Sequence, residues 1–242
     1  MLETMGMLVS KYSGLFLEGI KYTLLLAAIA VALGTVIGTI LAILKMAKFK
    51  PLTWIATAYI EVFRSTPMMV QATVIFYGAA WAFGLRLDPV TAGMFIISIN
   101  TGAYMAEIVR GGIISVDKGQ FEATHSIGMT HFQSMLYVIL PQAIRNILPA
   151  TGNQFIINIK DSCVLSVISV TELFFQTKSA AGATFDYFPA YFIACVIYFV
   201  LCFSITQILR YVEMKMDGAD TYTIYGTEPV INGADTLKRG DK

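Results

Sequence analysis

Few residues in this sequence could do chemistry, and most of them sit where charge is expensive. Glu61 and Arg64 interrupt a long apolar stretch at i, i+3 spacing, just before Thr66 and Pro67. On a helix such a pair shares one face and is expected to neutralise itself in part. A charge at the centre of a bilayer costs at least about 2.5–3.5 kcal/mol, so it is placed against protein or a watery path. Two readings stay open: a self-paired ion pair that stabilises its helix, or groups lining a passage. Paired charges of opposite sign suit a zwitterionic passenger, and Pro67 frees backbone groups that a passenger could also contact. Asn100, Tyr104 and Glu107 follow i, i+4, i+7 spacing, and so do Gln154, Asn158 and Asp161. Each set is a polar stripe on an apolar helix, expected to face other helices, either in interhelical hydrogen bonds or as pore lining. Glu107 with Arg110 also reads as an interfacial pair, and Asp161 beside Lys160 as a helix-end charge.

Other chemistries find little support. His125 and His131 stand at i, i+6, a poor spacing for one helix face, and read as solvated or interface histidines rather than metal ligands. Cys163, Cys195 and Cys202 lie in apolar stretches and read as buried free thiols. Met68 and Met69 read as packing and lipid contacts. There is no G-x-x-x-x-G-K-[ST] phosphate loop, zinc motif, nucleophile elbow or C-x-x-C. The chain is therefore expected to be no enzyme, and to hold no cofactor or metal of its own. A net charge of +1 leaves no electrostatic footprint for nucleic acid.

The elements that position these residues follow from composition. The 242 residues are 56% hydrophobic and 14% charged, against about 25% charged in ordinary soluble domains. With a mean hydropathy of +0.67, the solvent that fits is a bilayer. A span needs roughly 20 apolar residues. The charge-free run 22–44 is the first, with Gly34 and Gly38 at a spacing that permits close helix contact. It reads as a retained span rather than a signal peptide. Lys45, Lys48 and Lys50 then mark a turn on the positive side. The stretch 52–83 would be roughly 50 Å long as one straight helix, so a kink or break near Pro67 is expected. Further spans fall at 89–109, 133–159 and 187–209. The loop 111–131 leaves the membrane, and Ser162 to Thr171 is too short to cross it. The fold class is thus all-α integral membrane with about five transmembrane helices. An N-terminal segment 1–18 precedes a transmembrane domain 19–214, and a polar tail 215–242 follows. Five spans put the termini on opposite sides. The distribution of Lys45, Lys48, Lys50, Arg110, Lys118, Arg210 and Lys215 favours an outer N-terminus and a cytoplasmic C-terminus, against Lys11 and Lys21.

The segment Gly119 to Pro149, GQFEATHSIGMTHFQSMLYVILPQAIRNILP, resembles the EAA loop of ABC importer membrane subunits: Glu122 and Ala123, then Gly128, then Leu140 and Pro141 opening the next span. Thr124 stands where the pattern commonly has a second alanine. A helix followed by a tight glycine turn makes a rigid knob able to transmit motion. YIEVFRSTPMMVQ, GAYMAEIVRGGIISVDKGQ and KDSCVLSVISVTEL resemble the polar amino-acid branch of the same family, in the same order. The resemblance implies the type I ABC importer permease fold. It implies a partner ATPase dimer carrying ATP and magnesium, a solute-binding protein, a second permease subunit, and a bacterial inner (plasma) membrane. Glu122, Ala123, Gly128, Leu140 and Pro141 become coupling residues. Glu61, Arg64, Thr66, Asn100, Gln154, Asn158 and Asp161 become candidates for the substrate path. The competing expectation is an ion-gradient-driven secondary amino acid transporter or channel, with Glu61 and Arg64 carrying ion coupling. The EAA-like loop and the absence of an internal repeat weigh against it.

Overall fold

A proline decides the first feature of the architecture. In the computed structural model, which describes residues 2–216, the apolar stretch after the lysine turn forms two helices, α2 (Lys50–Ser65) and α3 (Met68–Phe83). Thr66 and Pro67 between them are extended, because the ring of Pro67 excludes the helical conformation for the residue before it and Pro67 has no N–H to give. What reads in sequence as one kinked span is two helices of 16 residues each.

Before them runs α1 (Leu2–Met46), 45 residues without interruption and roughly 65–70 Å long, about twice the depth of the hydrocarbon layer. The segment 1–18, drawn apart from the first span by sequence, is from Leu2 onward part of the same helix. Glu3, Lys11, Glu18 and Lys21 dilute its apolar character without breaking its backbone. Leu8 and Phe16 of this half pack with Leu173, Ala180, Ala190 and Ile193 from later in the chain.

The post of the bundle is α4 (Pro89–Ile114). Asp88 caps its start, accepting from Thr91 N at 2.9 Å and Thr91 Oγ1 at 3.0 Å, with Pro89 at the position where a missing N–H costs nothing. These bonds hold the Asp88 carboxyl below the usual carboxylate range. Against α4 lies α1, so close that a Cβ added at Gly38 would sit 2.5 Å from Met105 Cβ and 2.7 Å from Ala106 N. The Gly34/Gly38 spacing is therefore a contact surface.

After α4 come α5 (Lys118–Ser126) and α6 (His131–Ser134), then a π turn at Met135–Ile139 and α7 (Leu140–Asp161). The π turn sits immediately before Pro141, which offers no N–H to the ladder. Segment 160–186, left open by the sequence, holds a 3-10 helix (Ser162–Ile168) and α8 (Leu173–Thr184). Glu172 starts α8 as a fully buried carboxylate, accepting from Phe174 N at 2.8 Å, Phe175 N at 2.7 Å and Tyr198 Oη at 3.0 Å. Leu173 N donates to Thr23 Oγ1 of α1 at 3.2 Å. The last helix, α9 (Tyr187–Met216), runs past the expected end of its span. Apart from Lys215 and Met216, the tail 215–242 lies outside the described residues.

All regular structure among the described residues is helical. Three helices (Glu3–Met46, Pro89–Ile114 and Tyr187–Lys215) are each long and apolar enough to cross a membrane. Cys195 is exposed on α9 while Cys163 and Cys202 are half-buried, so burial in protein was the wrong expectation for Cys195. An apolar thiol on a helix that faces lipid needs no protein cover.

Candidate functional site

Halfway along α4 a layer of polar side chains crosses the bundle. Gln71 of α3 is buried and reaches back over the helix break: its Nε2 donates to Phe63 O at 2.9 Å, Thr66 O at 3.0 Å and Thr66 Oγ1 at 2.7 Å. Asn100 Nδ2 donates to Gln71 Oε1 at 2.8 Å. One residue on, Thr101 Oγ1 donates to Asn158 Oδ1 at 3.2 Å, and Gln154 Nε2 donates to the same oxygen at 3.0 Å. Asn100, Gln154 and Asn158 are all buried, so these members of both stripes do face the bundle. Asn158 Nδ2 is buried with no partner among the described residues.

The flanking charges behave differently. Glu61 and Arg64 are both exposed and do not pair: the ion pairs among the described residues are Lys45–Glu107 and Arg110–Glu107. The expected self-paired Glu61–Arg64 bridge is thus corrected. Arg64 instead places its guanidinium 5.6 Å from the ring centroid of Tyr104 on α4, a cation–π contact that competes for its reach. Thr66 is exposed, its hydroxyl donating to Val62 O at 2.7 Å. Asp161 is exposed at the end of α7 beside exposed Lys160, apart from the bonds that join Gln154 and Asn158. Glu107 ends its stripe between two cations, at 2.7 Å from Lys45 Nζ and 2.8 Å from Arg110. This clamp joins the last turn of α1 to the C-terminal part of α4.

Beyond that clamp lies the loop. Asp117 caps α5 by accepting from Gly119 N at 2.6 Å. At the other end Met129 N donates to Thr124 O at 3.0 Å and Gly128 N to His125 O at 3.0 Å, the paired bonds of a Schellman turn. Gly128 has φ +82°, a conformation that glycine adopts freely and L side chains resist. No atom lies within 4 Å of a Cβ built there, so backbone conformation alone demands the glycine. Thr124 is the buried residue of this helix, with its hydroxyl donated to Phe121 O at 2.8 Å. Glu122 and Ala123 are exposed, and Ile127 is 77% exposed. Leu140 and Pro141 open α7 and belong to the post-loop helix rather than to the knob. The turn also brings the two histidines together: Phe121 stacks on His131 at 5.6 Å, and the His125 and His131 rings are 6.4 Å apart. They come from different helices, so their sequence spacing did not reveal it. No group of three or more potential metal ligands exists among the described residues.

Over residues 34–218 the chain matches the family described as binding-protein-dependent transport system inner membrane component. The chain belongs to this family. It is 38% identical over 203 residues to the probable glutamine ABC transporter permease protein GlnM of Bacillus subtilis, covering 84% of this chain and 94% of that one. It is 35% identical to the arginine transport system permease protein ArtQ of the same organism, covering 84% and 93%. Among solved structures, one described as an amino acid ABC transporter with histidines superposes with a TM-score of 0.82 at 43% identity, covering 86% and 96%. An inward-facing MetNI methionine ABC transporter superposes with a TM-score of 0.64 at 18% identity, covering 83% and 97%, which speaks to the fold alone. This inner membrane component therefore has the type I importer permease fold that the loop resemblance implied.

Sequence reasoning missed Gln71, Glu172 and Lys45. Gln71 carried a signal, since a donor side chain just past a proline break is placed to serve the carbonyls the break frees.

Proposed function

We propose that this chain is the membrane-spanning permease subunit of an ATP-driven importer of polar amino acids. The observation that carries the reading is the capped knob of α5, whose exposed Glu122, Ala123 and Ile127 stand on a turn that only glycine makes without strain. Such a knob suits a groove on a soluble motor. Family membership supports the ATP-driven reading over an ion-gradient mechanism. Relatives named for glutamine, arginine and L-cystine support amino acids as cargo.

On this reading a solute-binding protein delivers the amino acid to the outer face. Two ATPase subunits hold ATP and magnesium and engage α5 of this chain and of a second permease subunit, identical or similar. Glu122, Ala123 and Gly128 make the coupling contact, and Leu140 with Pro141 passes the movement into α7. Closure of the ATPase pair then shifts the spans between outward and inward access. Glu61, Arg64, Thr66, Asn100, Gln154, Asn158 and Asp161 belong to the substrate path. Exposed Glu61, Arg64 and Asp161 support this, because charges on apolar helices call for a watery or protein-covered surface rather than lipid. The membrane is a bacterial inner (plasma) membrane, with the N-terminus outside and the C-terminus in the cytoplasm.

Reconstitution tests the reading. Proteoliposomes holding the complex, with the binding protein outside, are given labelled glutamine, arginine and cystine. Uptake should require internal ATP and survive ionophores that collapse all gradients. Uptake that persists without ATP and ends with the ionophores would replace this reading with the secondary transporter.

A further inference from the structure

A helix broken inside a membrane leaves carbonyls without their helical donors, and other groups must take the place of those donors. At the Thr66–Pro67 break one side chain supplies most of that need. Gln71 Nε2 donates to Phe63 O, the last-turn carbonyl of α2, and to both oxygens of Thr66. Its Oε1 receives Asn100 Nδ2 from α4 at 2.8 Å, and Asn100 makes a second, longer contact of 3.5 Å to Phe63 O. A single amide thus ties three helices together while only 8% exposed. The groups just outside this brace are held far more loosely. Arg64 is exposed and leans only on the ring of Tyr104, and Glu61 has no ion partner among the described residues. Where they stand is therefore decided by the direction of the last turn of α2, and that direction is decided at the break.

We propose that Gln71 is the positioning residue of the transport path: it fixes the angle between α2 and α3 and so holds Arg64 and Thr66 where a passing amino acid meets them. The proposal rests on the substrate-path reading given above. A residue that merely stabilised the fold would lower the amount of assembled complex. A positioning residue lowers what each assembled complex accomplishes.

The test uses the whole importer in proteoliposomes and reads labelled arginine, glutamine and cystine uptake per ATP hydrolysed, a ratio that loss of protein does not move. Gln71→Met keeps the length of the side chain and removes its donors, stranding Thr66 O and leaving Phe63 O only the long 3.5 Å contact from Asn100. Uptake per ATP should fall about tenfold or more, the scale of a buried hydrogen-bonding group left unpaired. Asn100→Ala should fall less, because Gln71 keeps its bonds to α2. The double variant should be no worse than Gln71→Met alone. Should Gln71→Met fail to assemble, Gln71→Asn, which keeps the amide but cannot reach Phe63, should show the same loss. An unchanged ratio in whichever of the two assembles overturns the proposal, as does a strictly additive double variant. Arg64→Gln separates the two levels. If it loses uptake per ATP while Gln71→Met does not, the positioning role alone fails. If Arg64→Gln and Thr66→Val both transport normally, the path reading fails with it.

Discussion

The polar layer in mid-bundle and the knob at the end of α4 are built on opposite terms. In the layer, side-chain identity is set by partners: Gln71, Asn100, Thr101, Gln154 and Asn158 each exist to satisfy another buried polar group. In the knob, identity is set by backbone conformation and by what is left uncovered: a side chain at Gly128 would meet nothing, and Glu122 and Ala123 are exposed. A residue in the layer therefore acts on stability and path shape, whereas a residue in the knob acts on whatever docks there. Both are needed if force applied at one place is to change access at the other.

Variants can break that contrast. The largest effect is expected at Gly128. Forcing an L residue into its conformation costs about 1–2 kcal/mol, so Gly128→Val should open the Schellman turn and cut transport-coupled ATP hydrolysis more than tenfold, while Gly128→Asn is far milder. Thermal stability of the subunit in detergent should fall by no more than that strain, because the site packs against nothing. Next comes Gly38→Leu, where the opposite holds: the new side chain meets Met105 and the backbone of Ala106. Overpacking of about 1–3 kcal/mol should appear as a lower Tm and poor yield, before any transport defect per molecule. Within the layer, Asn158→Leu removes the acceptor shared by Thr101 and Gln154 and should cost about 1–3 kcal/mol, against about 1 kcal/mol for Thr101→Val. Denaturation of the purified subunit measures both. Arg110→Gln is smaller, at most about 1 kcal/mol, since this pair is partly exposed and Lys45 still serves Glu107. The smallest is at Asp88. Its folded-state pKa is depressed, so its contribution is present above the unfolded carboxylate value and is lost as pH falls through the folded one. Asp88→Asn should flatten a slight fall in Tm at acid pH.

How much of this was legible in the sequence depended on whether the cause was local. Pro67 announces its own break, and Gly34, Gly38 and Gly128 announce a close contact and a turn. The stripe through Asn100 and the pair Gln154 and Asn158 were readable because helical spacing is a local property. Most of the failures are long-range. Spacing allowed Glu61 and Arg64 to pair, but Tyr104 on another helix takes the guanidinium. Lys45 reads as one of a lysine cluster, yet its partner Glu107 arrives from α4. Glu172 looks like an ordinary helix start until Tyr198 of α9 donates to its carboxylate. The full length of α1 was hidden because scattered charges end an apolar run without ending a helix.

The central claim is that α5 is the contact through which a separate ATPase drives this subunit. The direct measurement is co-purification of the tagged protein from its native membrane in mild detergent, unaltered and as Gly128→Arg, with partners identified by mass spectrometry. A phosphate-loop ATPase that accompanies the unaltered chain and is lost from the variant, with the variant still folded and membrane-inserted, is the result this account predicts. An ATPase that stays bound to Gly128→Arg, or none with either form, would contradict it.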